Sequence, residues 1–389
     1  MRAEIDPIQL LTELVAYPTV SNRPVTSIAA ALAQRAEDAG GAVSMLESSQ
    51  DKCNVIARFG PRSANGIILS GHMDVVPTEG QSWSSDPFKL QERDGRLYGR
   101  GSADMKGFIA AVTAAISAMP LSTLKRELVL MWTHDEEVGC LGSQILADRW
   151  ASSLDPLPSQ AWIGEPTDLK MCRMHPGHST IEIRCTGRAA HSSRPGLGVN
   201  AISLAQRVLA VLEATAEAWR SDQAFTDHLA SPYTIMNIGQ ISGGTAVNIV
   251  PDSCAIHVGI RPLPGTDAHQ KIQDIEARLN SVRQHARYLG GDIELHTRQI
   301  GPALLTAEGT RLERALCSHS VHDQATAAPF ATDGGNLERM GISSIVFGPG
   351  SIDVAHRPDE FIATGELLQC VDTVQRVIHT LCTEDEQVG

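Results

Sequence analysis

A change of rhythm along the chain constrains its fold more than any other feature. Up to Pro176, short apolar strands rich in Val, Ile and Leu alternate with helical segments. Residues 6–16 and 26–39 carry helical spacing, 54–59, 66–74 and 127–134 read as strands, and a core helix starts near Asp104. Such alternation predicts an α/β domain with a largely parallel sheet. Past Pro176 the order becomes strand (180–186), long helix (200–220), two strands (233–241 and 254–261), helix (268–289) and strand (292–296). That β-α-β-β-α-β order is ferredoxin-like. The α/β rhythm resumes past about residue 300, with 341–348 as a strand. The expected architecture is therefore an α/β domain built from 1–176 and 299–389, interrupted by a ferredoxin-like α+β domain at 177–298.

Charge excludes several kinds of partner. With 45 acidic residues against 32 basic ones, the net charge of −13 argues against nucleic acid and against anionic membrane surfaces. The longest nearly apolar run, 107–120, is too short to span a bilayer and reads as a buried core helix. The first residues interleave acids with apolar positions and lack the apolar core of an export signal. Eight scattered cysteines form no C-x-x-C pair, so they read as small buried hydrophobes in a reducing compartment, the cytoplasm.

The chemistry-bearing residues sit just beyond apolar runs. In S-G-H-M-D-V-V-P (70–77), period-two geometry turns His72 and Asp74 to one side. There a carboxylate can orient a metal-bound imidazole through its second ring nitrogen; the alternative is an ordinary turn before Pro77. G-R-G-S-A-D-M-K-G (99–107) places Asp104 near a helix start, as a helix cap or as a bridge between two cations. T-H-D-E-E-V-G (133–139) sets Glu136 and Glu137 side by side after a strand, where alternation points them apart and implies two separate tasks. I-G-E-P-T (163–167) and A-H-R-P-D-E-F (355–361) each add one further ligand type, Glu165 and His356. In an open α/β sheet such residues converge outside the carboxyl ends of the strands. Mixed imidazole and carboxylate ligands suit zinc, and a two-metal hydrolase holds its cations ~3.5 to 4 Å apart.

Taken together these motifs resemble the di-zinc aminoacylase and carboxypeptidase family, over most of the chain. The resemblance implies a zinc-peptidase-like α/β catalytic domain with an inserted dimerisation domain, and two Zn2+ ions that Co2+ or Mn2+ could replace. It implies His72 and Glu165 on one cation, Glu137 and His356 on the other, and Asp104 bridging. Asp74 would support His72, and Glu136 would be the general base and acid. In the inserted domain, G-R-A-A-H-S-S (187–193) resembles the segment whose histidine, here His191, stabilises the oxyanion in a partner subunit. G-G-T-A-V-N-I-V-P (243–251) and G-I-R-P-L-P (259–264) resemble segments that bind the substrate carboxylate, through Asn248 and Arg261. The implied protein is a homodimer acting on a small N-acyl amino acid. One departure from the family pattern is Pro176, which stands where relatives carry a basic residue, with His178 two positions on.

Overall fold

The apolar strands assemble into a mixed sheet in the computed structural model, which describes residues 4–49, 51–150, 156–321 and 324–384. Its order runs Ala42–Ser49, Lys52–Phe59, Leu128–Thr133, Ile67–His72, Gln160–Ile163, Ser343–Val346 and Cys172–His175. Among the described residues the middle four of these strands are mutually parallel, and the short strand Thr326–Ala327 adds one more parallel pair, with Cys172–His175. Lys52–Phe59 runs antiparallel to both of its neighbours, so the expectation of a largely parallel sheet holds at the centre alone. For the pairing with Ala42–Ser49 the reason is chain length, because the link between the two strands is far too short for a parallel crossover. Ala42–Ser49 itself escaped sequence reading because it is a polar edge strand with five of its eight residues exposed and none buried.

The central strands are buried on both faces, which is why their sequences are continuous apolar runs rather than alternating ones. Lys106–Ser117 packs along this sheet with every residue from Lys106 to Ile116 buried, as a helix apolar all round must be. Aromatics are scarce in this chain, yet three of them meet beneath the carboxyl ends of the strands. Trp162 lies 5.5 Å from the Phe108 ring and 5.6 Å from the Phe347 ring, centroid to centroid. Its indole N–H donates to the Phe347 carbonyl, so the floor of the strand ends is both packed and hydrogen-bonded. All eight cysteines are free thiols and all but Cys317 are buried.

The chain divides into two compact units, one made of residues through Met174 with Leu305–Ala328 and Thr332 onward, the other of His175–Leu304 with Pro329–Ala331. The second unit carries a four-stranded antiparallel sheet in the order Ile235–Gly243, Ser253–Arg261, His178–Thr186, Asp292–Gly301. Numbered along the chain this is 2-3-1-4, the ferredoxin-like order. Ile181, Ile183 and Cys185 face the helices Ala201–Trp219 and Ala268–Tyr288 in one apolar cluster. Asn200 and Asp267 cap those helices by accepting backbone N–H groups of the first turn.

His175, at the end of its strand, is fully buried, and burial pushes its imidazole down to about 4. Its Nδ1 donates to the Pro176 carbonyl at 3.0 Å. A depressed native value means that between about 6.5 and 4 the unfolded chain binds a proton that the folded chain refuses. Stability is then complete above pH 6.5 and falls, by of order 3 kcal/mol, as the pH drops through that window. Chemical denaturation of the wild type and of His175→Gln at pH 7 and pH 4.5 checks this. The acid-induced drop in stability should be smaller in the variant; equal drops would refute the assignment.

Candidate metal centre

His72 closes the strand Ile67–His72, which is laddered on both sides by parallel neighbours, so its backbone is among the best-held in the sheet. Its Nδ1 donates to the Asp74 carbonyl oxygen at 2.9 Å. That bond places the ring proton on Nδ1 and leaves Nε2 free as a ligand. Nε2 lies 3.0 Å from Asp104 Oδ1, 3.7 Å from Glu165 Oε1 and 4.0 Å from Glu136 Oε2. Glu165 reaches this point because Gly164 precedes it: a Cβ there would stand 1.9 Å from Cγ of Phe108.

Asp104 does not cap its helix, which begins at Lys106 without any side-chain cap. Its carboxylate instead spans two imidazoles, with Oδ1 facing His72 and Oδ2 3.2 Å from His356 Nε2. His356 Nε2 also lies 2.9 Å from Glu137 Oε2. The structure thus brings His72, Asp104, Glu136, Glu137, Glu165 and His356 to one place at the ends of the central strands.

Two expectations need correction. The Asp74 carboxylate does not hold the His72 ring, since its nearer oxygen is 3.7 Å from Nδ1 and the backbone carbonyl takes the bond instead. The strand ends at His72, so period-two geometry no longer applies two residues later. Asp74 Oδ1 accepts the Glu136 N–H at 3.0 Å, and Oδ2 accepts the Glu137 N–H at 3.3 Å and the Ser21 hydroxyl at 2.8 Å. The divergence of the two glutamates likewise does not come from strand alternation. Their strand ends at Thr133, and Asp135, at a φ of 50°, starts a turn. Lys52 and the Asn22 N–H bond Asp135 Oδ1 at 2.6 and 3.0 Å, and His134 Nδ1 faces Oδ2 at 3.1 Å, which anchors that turn.

Electrostatics tests whether cations fit here. Burial and then Asp104 raise Glu165 well above the usual carboxylate range; burial, Asp333, Glu137 and Asp104 do the same to Glu136. Glu137 is pushed up to about 7 by burial and Asp104, against the pull of His356. Hydrogen bonds to Asp104 and Glu137 lift His356 to about 10. For His72, burial alone would lower the value, yet Glu165, Asp104 and Glu136 together raise it well above normal. So many carboxylates around two imidazoles repel one another, a conflict that bound cations relieve. Glu137 Oε1 is buried with no hydrogen-bond partner among the described residues. Tetrahedral coordination at 2.0–2.2 Å sets ligand atoms about 3.3 to 3.6 Å apart, and the spacings of 2.9 to 3.7 Å bracket that range. The residues fit a pair of divalent cations.

Sequence reasoning passed over the wall behind Glu136. Ligand-type atoms of Glu136, Cys140 and Asp333 lie within 4.8 Å of one another. The Cys140 thiol donates to Glu136 Oε1 at 3.4 Å, and Asp333 accepts the Thr133 and Ser143 hydroxyls at 2.6 and 2.5 Å. No periodicity marks Asp333, because it follows a loop rather than an apolar strand.

In the second unit, His191 pairs with Ile249 in a short antiparallel bridge, and the Ser192 N–H donates to the Asn248 carbonyl at 3.0 Å. His191 and Asn248 are therefore neighbours. His191 Nδ1 accepts the Ser193 N–H at 3.1 Å, so the proton of the neutral ring sits on Nε2 as an outward donor. Arg261 ends its strand elsewhere in this unit; there burial and then the Arg261 charge lower His178.

A carboxylate shared by two imidazoles, each with its own further carboxylate and with one more glutamate alongside, defines a two-metal hydrolase centre. The chain belongs to Peptidase family M20/M25/M40, whose model matches residues 68–380. It is 36% identical over 350 residues to an acetylornithine deacetylase of Erwinia tasmaniensis, covering 87% of this chain and 86% of that one. It is 34% identical to an acetylornithine deacetylase of Pasteurella multocida, covering 97% and 98%. Among solved structures it resembles a tripeptidase from Staphylococcus aureus, with a TM-score of 0.76 at 19% identity over 98% of this chain and 99% of that one. It also resembles a dinuclear metal-binding peptidase of the M20 family from Bacillus subtilis, with a TM-score of 0.64 at 15% identity over 96% and 97%.

Proposed function

We propose that this chain is a di-zinc amidohydrolase that deacetylates N2-acetyl-L-ornithine to L-ornithine and acetate, a step of arginine biosynthesis, in the cytoplasm. The observation that carries the chemistry is the Asp104 carboxylate set between His72 and His356, with Glu136 beside it. The substrate rests on near full-length likeness to acetylornithine deacetylases. The stretches W-S-S-D-P-F (83–88) and H-D-E-E-V-G-C-L-G (134–142) also resemble those enzymes.

His72 and Glu165 would hold one cation, Glu137 and His356 the other, and Asp104 both. When bound, the pair polarises the amide carbonyl and brings the pKa of a water towards ~7. Glu136 would take the proton of the attacking water through Oε2, the oxygen on the His72 side, as the water oxygen adds to the amide carbon, while the Cys140 thiol holds Oε1. The same carboxyl then returns the proton to the leaving amine. His191, through Nε2–H, donates to the tetrahedral oxyanion of a partner copy. Asn248 and Arg261 hold the substrate carboxylate. The second unit serves as the dimerisation domain: its outer strand Ile235–Gly243 leaves one edge unpaired among the described residues, a template for a second copy.

Metal analysis combined with turnover tests this. N-acetyl-L-ornithine should exceed N-succinyl-diaminopimelate and a peptide ending in glutamate by at least about tenfold in kcat/KM, a difference of about 1.4 kcal/mol. Preference for either competitor would overturn the substrate and leave the chemistry standing. Size-exclusion chromatography should give a dimer, and His191→Ala should stay dimeric with kcat reduced about 10²-fold or more. A fully active monomer would refute the cross-subunit donor.

A further inference from the structure

The two halves of the centre are held by different means. His72 and Glu165 leave central strands and inherit the rigidity of the ladder. His356 lies in a loop, half exposed, with a φ of 63°, and Asp359 three residues on has a φ of 57°. Non-glycine residues adopt that left-handed region rarely, so two of them in one short loop need outside support.

That support is continuous. Gln81 Nε2 donates to the His356 carbonyl at 2.9 Å, and Gln81 Oε1 accepts Arg100 Nη2 at 2.7 Å and the Trp83 indole N–H at 3.0 Å. Arg100 is 1% exposed, with its guanidinium 5.0 Å from the centre of the Trp83 ring. Its Nη1 donates to Glu360 Oε2 at 2.6 Å, and Glu360 Oε1 accepts the backbone N–H groups of Ala103 and Asp104, both at 3.0 Å. A chain of hydrogen bonds therefore runs from the His356 carbonyl through Gln81, Arg100 and Glu360 to the Asp104 amide. A parallel tie joins Asp359 Oδ1 to the Ser84 N–H and hydroxyl, each at 2.9 Å. The stretch around W-S-S-D-P-F, otherwise remote from the chemistry, is the anchor of the His356 loop.

We propose that Gln81, held in place by Arg100, is a positioning residue that fixes His356 relative to Asp104, and so sets the affinity of the Glu137–His356 cation site alone. The inference rests on the di-metal reading above. Supporting hydrogen bonds around a metal site are worth 10–100-fold in affinity. They act here on one site because His72 and Glu165 depend on the sheet instead.

Metal-free wild type and Gln81→Ala, titrated with Zn2+ against a chromophoric chelator, test it. Gln81 lies at the surface end of the chain of bonds, so its variants are suited to fold where an Arg100 variant is not. Wild type should show two dissociation constants; Gln81→Ala should keep one of them within about twofold and weaken the other 10–100-fold. Gln81→Glu, which still accepts from Arg100 but sets a carboxylate against the His356 carbonyl, should weaken the same site at least as much. At saturating Zn2+ the kcat of both variants should recover towards wild type, as a lost chemical role would not. Unchanged constants, or equal weakening of both sites, would overturn the proposal with the di-metal reading intact. A wild type binding fewer than two cations would overturn that reading and this inference with it.

Discussion

Glu136→Gln is expected to bind two divalent cations as the wild type does while kcat falls 10²–10⁴-fold, the range a positioned acid-base group supplies. Glu137→Gln, one position on, should instead lose cation affinity at the His356 site. The difference follows from where each carboxylate goes. Glu137 Oε2 meets His356 Nε2 at 2.9 Å and its buried Oε1 has no hydrogen-bond partner among the described residues, the pattern of a ligand. Glu136 is occupied on one oxygen by the Cys140 thiol, and its other oxygen stops 4.0 Å short of His72 Nε2, leaving room between. Elemental analysis after dialysis, paired with kcat at saturating substrate, separates the two outcomes. Equal metal loss in both variants would sink the division of roles.

What sequence could and could not convey follows from these residues. His72, Glu165 and the pair Glu136 and Glu137 stand directly behind apolar strands, and such strands announce both themselves and their carboxyl ends. Convergence at a sheet edge then needs only the topology of an α/β fold. The supporting bonds are another matter. Asp74 serves the Glu136 and Glu137 amides from 62 and 63 residues away, and Glu360 serves the Asp104 amide from 256 away. Nothing local in the sequence marks a carboxylate that accepts from a distant backbone. Arg100 was visible only as part of a glycine-rich turn, although its guanidinium joins three segments. Periodicity reports which face is buried, and such long-range polar partners leave no period.

Asp104→Ala should remove high-affinity binding of both cations at once and abolish turnover, the largest effect of any single replacement in this centre. Its two oxygens face one imidazole each, at 3.0 and 3.2 Å. Burial by itself would raise its carboxyl, yet hydrogen bonds from His356 and His72 outweigh it and hold Asp104 far below the usual range, which keeps it ionised. Asp104→Asn is the sharper variant: one oxygen becomes an N–H donor, so one imidazole keeps an acceptor and the other meets a donor, and one cation should go while one stays. Asp74→Ala gives the scale. It leaves the ligand atoms in place and removes the acceptor for two amides and the Ser21 hydroxyl, so its cost should stay within the 10–100-fold of a supporting residue. Calorimetric titration of all three variants with Zn2+ orders them. Should Asp74→Ala equal Asp104→Ala, Asp74 acts on the cations directly; should Asp104→Ala retain two sites, the carboxylate does not bridge.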